Sequence, residues 1–181
     1  MTITPDTKDW TWVLEKPCDE CGFDTTAIEP TDVAAMLRGN AARWVQILAG
    51  THSEVTTRPA PDVWSPLEYA CHVRDVFRKF AERLELMLGQ DNPTFANWDQ
   101  DQTAIADRYG EQDPVTVAGE LTAAAETLAA GFERVGPDQW QRRGRRSDGA
   151  NFTIATFSRY LIHDPIHHVY DATGERYAAQ T

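Results

Sequence analysis

The histidines are the residues whose types and spacing most readily do chemistry. Five occur, and three fall within the six-residue stretch His163-Asp164-Pro165-Ile166-His167-His168. On a helix, residues four apart project from one face about 6 Å apart, so His163 and His167 can aim two imidazole nitrogens at one cation. His168 is turned about 100° from His167 and reads as a supporting or packing residue. His72 lies in the row Tyr69, His72, Val76 and Phe80, on the inward side of a second helix, and is the expected third metal ligand. The alternative for His72 is a hydrogen-bonded core histidine. Three neutral imidazoles leave a coordination position for water or substrate, the pattern of a catalytic zinc site. A divalent ion so held lowers a bound water's pKa to about 7, or deprotonates a coordinated thiol. Zinc is the first expectation, although nickel, iron or copper also suit imidazole. Asp164, Asp171 and Asp75 are candidates for orienting the rings. His52 lies in a polar loop and reads as solvated.

Four amphipathic helices must position these groups. The first opens at Thr31 and ends near Gly50, with Val33, Met36, Leu37, Trp44, Ile47 and Leu48 at helical spacings. Ser65-Pro66-Leu67-Glu68 is a capping box with Pro at the first helical position, so a second helix runs from there to Gly89. A third starts at Asp113-Pro114 and stops before Gly136-Pro137; a fourth starts near Asn151 and runs to Tyr170, with Gly174 as its stop. Pro165 should kink the fourth helix. Trp10, Trp12 and Leu14 alternate, which suggests an extended arm. The expected fold is all-α: a four-helix bundle over residues 31–181, preceded by an extension over residues 1–30. The 24 residues from Gly89 to Gln112 exceed an ordinary bundle turn and should form a long crossover between the second and third helices. Antiparallel second and fourth helices would then place His72 and His167 at a common depth of about 10 Å.

Composition narrows the partners. The chain has 181 residues, a formal charge of −11 and a pI near 4.8. This argues against nucleic acid or an anionic membrane as the main partner. A cytoplasmic protein with reduced thiols is expected, and a homodimer is an open assembly state. Cys18-x-x-Cys21-Gly22 looks like one knuckle of a zinc ribbon. Three readings stay open: free structural thiols, a redox pair, or a second metal site completed by a His or another chain. Arg142, Arg143, Arg145 and Arg146 read as a solvated loop at the end opposite the metal. Arg108 and Tyr109, just before the third helix, are expected at the mouth of the site, where they could bind a polar cosubstrate. Trp64, Trp98, Trp10 and Trp12 are candidates for lining the pocket or filling the core.

His72 within Glu68-Tyr69-Ala70-Cys71-His72, followed by His163-x-x-x-His167, resembles the DinB-like (DinB/YfiT-like) family of metalloenzymes over roughly residues 31–173. The resemblance implies a four-helix bundle with a crossover, and a divalent metal held by His72, His163 and His167. It also implies use of a low-molecular-weight thiol, such as bacillithiol or mycothiol, transferred to a small electrophile. The alternatives are a thiol-dependent isomerase, a metal-hydroxide hydrolase, or a stress-related metal-binding protein without catalysis.

Overall fold

A computed structural model describes residues 9–178. The architecture is mostly helical. Helices α1 (Val33–Leu48), α3 (Pro66–Gly89), α5 (Pro114–Glu133) and α6 (Ile154–Thr173) form the bundle, with the shorter α2 (His52–Thr56) and α4 (Gln100–Ala106) in the connections. α3 packs against α5 and α6, and α1 against α5 and α6. Their shared interior holds Leu37, Trp44, Leu67, Phe77, Leu84, Leu121, Leu128, Phe157 and Leu161, all buried. Burying such side chains drives the packing at about 1.5–3 kcal/mol each.

The caps follow the local sequence. The Ser65 backbone N–H donates to the Glu68 carboxylate at 2.9 Å, and the Glu68 N–H returns a bond to Ser65 Oγ at 3.3 Å. Asp113 caps α5 through Thr116. α6 is capped by Thr153 rather than by Asn151, and it stops at Gly174. Pro165 lies inside α6, where its carbonyl accepts a bond from the buried Asn40 side chain at 3.0 Å. Arg74 pairs with Glu120 near the starts of α3 and α5, and Glu85 pairs with Arg134 near their ends.

A small sheet corrects the all-α expectation. β1 (Thr94–Phe95) pairs in parallel with β2 (Arg143–Arg146), and β2 pairs antiparallel with β3 (Asn151–Thr153), Gly144 facing Phe152. The arginine segment is therefore a central strand and not a solvated loop. Arg142 donates to the carbonyls of Met87 and Gln90 at 2.7 and 2.6 Å, covering the last turn of α3. The N-terminal stretch Trp10–Leu14 is a 3-10 turn and not an extended arm, capped by the Asp9 side chain. It packs on α6. No helix among the described residues is long and apolar enough to cross a membrane.

Candidate metal centre

α6 presents two adjacent ligand pairs, each spaced i, i+4. His163 and His167 face one way; Asp164 and His168 lie one step of about 100° around the helix and face another. Each pair has a different partner. Oxygen and nitrogen donors of His72, Asp164 and His168 lie within 4.8 Å of one another, and so do donors of Cys18, Cys21, His163 and His167. Among the described residues no such group joins His72 to His163 and His167. The three imidazoles named from the sequence thus fall in two neighbouring clusters, because His72 on α3 looks onto the 164/168 face.

In the first cluster His72 Nε2 lies 3.6 Å from Asp164 Oδ2, and His168 Nε2 lies 3.6 Å from Asp164 Oδ1. These distances are too long for hydrogen bonds. They are close to the roughly 3.4 Å edge of a coordination shell with ligands near 2.1 Å. Both ring nitrogens of His72 and one oxygen of Asp164 are buried without a hydrogen-bond partner. Buried polar atoms of this kind are normally satisfied, and a cation among the three groups would satisfy His72 Nε2 and Asp164 Oδ2 together. The donor set fits a divalent ion: two imidazoles and one carboxylate, with further positions open.

The surroundings fix these rings. His168 Nδ1 meets Asp171 Oδ2 at 2.8 Å, which turns Nε2 toward Asp164. Trp98 stacks on His72 with centroids 5.4 Å apart, Trp64 packs beside it at 5.3 Å, and Tyr69 lies 5.1 Å from His168. Burial drives the pKa of His72 down. Burial would also lower that of His168, but the charges of Asp164 and Asp171 outweigh it and raise the value to about 10. Burial would raise the pKa of Asp164; the neighbouring His168 and His72 instead hold it far below the usual carboxylate range.

The cluster opens on a cavity of about 1190 Å³. Its wall includes Trp10, Glu20, Trp98, Arg83, Arg146 and Asp171. Arg83 is buried, packs its guanidinium over Phe80 and Phe95 at 5.3 and 5.0 Å, and donates to the Ala96 carbonyl at 2.9 Å. Burial lowers its pKa to about 10. Arg146 pairs with Asp148 at 2.8 Å and donates to the Tyr160 hydroxyl at 3.0 Å.

Other residues singled out from the sequence stand elsewhere. Arg108 is exposed and pairs with Glu111; Tyr109 is buried and donates to Asp75 at 2.6 Å; neither lines the cavity. Asp75 is committed to Arg74, Arg78 and Tyr109, so it orients no imidazole. Cys71 points away from His72, toward the Tyr109 carbonyl and Gln112. The residues that sequence reasoning undervalued are Asp164 and His168 as a ligand pair. The signal was present, since Asp164-x-x-x-His168 repeats the His-x-x-x-His spacing one residue later.

Beside this centre, Cys18 Sγ lies 3.7 Å from His167 Nδ1, and Cys21 Sγ lies 3.7 Å from His163 Nε2. Burial and the neighbouring imidazolium charge of His167 hold the His163 pKa down, to about 4.

A family model described as the DinB superfamily matches residues 34–172. No curated protein sequence matches the chain. Among solved structures, YfiT from Bacillus subtilis, described as a probable metal-dependent hydrolase with an unusual four-helix bundle topology, aligns with a TM-score of 0.69. The match covers 96% of this chain and 91% of that one at 16% identity. With most of its length matched by the family model and its bundle shared with a solved relative, the chain belongs to the DinB superfamily.

Proposed function

We propose that this protein is a metal-dependent enzyme acting on a small anionic molecule, with His72, Asp164 and His168 holding a divalent cation at the wall of the cavity. The observation that carries this reading is the set of buried, unpartnered donor atoms on His72 and Asp164, converging with His168 beside a large cavity. A cation bound there supplies Lewis acidity and brings a water or thiol near its ionised form at neutral pH. Asp171 fixes the His168 ring through Nδ1. Trp98 stacks on the His72 ring and Trp64 packs beside it, which holds the ring in place. Arg83 has a single hydrogen bond among those found in the described residues, to a backbone carbonyl, and keeps donors for a carboxylate or phosphate on the substrate. This assigns to Arg83 and Arg146 the anchoring role expected from Arg108 and Tyr109.

Hydrolysis is the first reaction, supported by the donor set and by the description of YfiT. Thiol transfer to an electrophile is the second; a cavity above the roughly 300–1,000 Å³ of ordinary ligand pockets supports it, because it has room for a cosubstrate. The reading takes the chain between α3 and α5 as a crossover, supported by the Arg74–Glu120 and Glu85–Arg134 pairs joining like ends of those helices.

The test is turnover of esters, amides and phosphate esters, each in anionic and neutral forms, by the chain loaded with zinc, nickel or manganese, with and without thiol. Metal-dependent turnover of the anionic forms that falls at least 100-fold in His72→Ala and in His168→Gln is expected. Activity with thiol alone would select the second reaction. Turnover unaffected by either substitution, or absent throughout the panel, would overturn the proposal.

A further inference from the structure

The Cys18-x-x-Cys21 turn and the His163/His167 face of α6 form a donor set distinct from the proposed catalytic one. All four residues are buried, with one donor atom from each within 4.8 Å of all the others. The geometry is that of a coordination sphere. With zinc–sulfur and zinc–nitrogen distances near 2.3 and 2.0 Å, a tetrahedron has a sulfur-to-nitrogen edge of roughly 3.5 Å. Both sulfur-to-imidazole separations are 3.7 Å.

The local backbone is shaped for this. The Cys18 N–H donates to the Phe23 carbonyl at 2.9 Å and the Gly22 N–H to the Cys18 carbonyl at 2.8 Å, closing a tight turn that puts both sulfurs on one side. Gly22 has φ of +80°, a conformation that a side chain at this position would strain. On the helix side, His167 offers Nδ1 to the cluster while its Nε2 faces Glu20 at 3.4 Å and Asp171 at 3.6 Å. A carboxylate behind the outer nitrogen is the arrangement that orients a metal-bound imidazole. Trp10 closes over the pair, with centroids 5.4 Å from His163 and 4.9 Å from His167.

We infer that Cys18, Cys21, His163 and His167 bind a second, structural zinc ion that fastens the N-terminal extension to α6. Two thiolates and two imidazoles complete a tetrahedron and leave no open position, so this ion holds structure while the neighbouring open centre does chemistry. The soft thiolates select zinc here, whereas the nitrogen and oxygen donors of the neighbouring centre do not. The zinc also shapes the cavity, because Trp10 and Glu20 of the extension form part of its wall.

The test is elemental analysis and X-ray absorption on the full chain purified under reducing conditions and dialysed against EDTA. One tightly held zinc per chain is expected, with a shell of two sulfurs at about 2.3 Å and two nitrogens at about 2.0 Å. His72→Ala should keep this zinc, and Cys18→Ser with Cys21→Ser should lose it. Cobalt exchanged into the site should show a thiolate-to-metal charge-transfer band that is present in His72→Ala and absent from the cysteine variant. A zinc shell without sulfur, a Cys18–Cys21 disulfide in the chain purified anaerobically, or unchanged zinc in the double variant would overturn the inference. Because the absorption spectrum is read on the unaltered chain, a variant that fails to fold leaves the test intact. Failure of the catalytic proposal would leave the sulfur-bound zinc in place, so the two outcomes separate.

Discussion

At the scale of single residues, adjacent faces of α6 titrate in opposite directions, and this gives the metal-stripped protein a particular pH profile. Burial holds the His163 pKa at about 4, and those of His72 and His167 below the ordinary 6.5. Between about 4 and 6.5 the unfolded chain therefore binds more protons than the native one, and stability rises with pH. His168 has the opposite sign. Asp164 and Asp171 raise its pKa to about 10, so its contribution is complete below 6.5 and is lost as pH climbs toward 10. Stability of the metal-free protein should peak near pH 6.5. Thermal unfolding across pH 4–10 checks this; a flat or monotonic curve would refute it. The His168→Gln variant should lose the decline between about 6.5 and 9. The buried thiols of Cys21 and Cys71, pushed up to about 12, add their own decline only above their ordinary value of 9. Much of this chemistry was legible in the residues. The His-x-x-x-His spacing, the inward His72 and the half-knuckle at Cys18 and Cys21 could all be read. The pairing could not, because a step of one residue on a helix decides which neighbour a side chain meets, and no sequence pattern states the rotation of α6 about its own axis.

Elements with strong local signals were readable to within a few residues. Ser65 to Glu68 carries its own hydrogen-bonding instructions, and Asp113-Pro114 and Gly174 mark ends that the structure keeps. The sheet has no such signal. Its strands are two to four residues long, and β2 is Arg-Gly-Arg-Arg, which resembles a solvated loop in any window. What makes it a strand is long-range: Gly144 lies against the end of α3, where a Cβ would come within 2.7 Å of Met87 Cγ and 3.0 Å of a Phe95 ring carbon. Only a residue without a side chain lets the strand approach the helix so closely. Gly144→Ala should therefore destabilise the protein by about 1–3 kcal/mol, as overpacking does. Gly119→Ala, inside α5 with nothing within 4 Å of its Cβ, should instead stabilise by about 0.5–1 kcal/mol through helix propensity. Urea unfolding of the two variants measures both, and equal effects would mean that the sheet does not depend on the close approach.

On the scale of the whole molecule, the division into an extension of residues 1–30 and a separate bundle has a direct physical test. Cys18, Cys21 and Phe23 belong to the same buried cluster as the helices, and Val13 is likewise almost wholly removed from solvent. Arg159 of α6 donates to the Ile28 carbonyl at 2.8 Å, and the Tyr177 N–H donates to the Cys21 carbonyl at 2.8 Å, so the extension is bonded both to α6 and to the stretch that follows it. Burial of Val13 and Phe23 alone is worth about 3–6 kcal/mol at about 1.5–3 kcal/mol each, an upper estimate because the unfolded chain already hides some area. Against a total stability of about 5–15 kcal/mol, that is a large share. A chain lacking residues 1–30 should therefore melt well below the full-length protein and bind a hydrophobic dye. Its exposed side would be the His163 and His167 face of α6, which the extension covers through Trp10 and the cysteine turn. An independently folding bundle would melt at the full-length temperature without binding dye. The loss should also exceed that of Cys18→Ser with Cys21→Ser in the intact chain, because the truncation removes apolar packing as well as the thiolate donors, whereas the double variant removes only the donors.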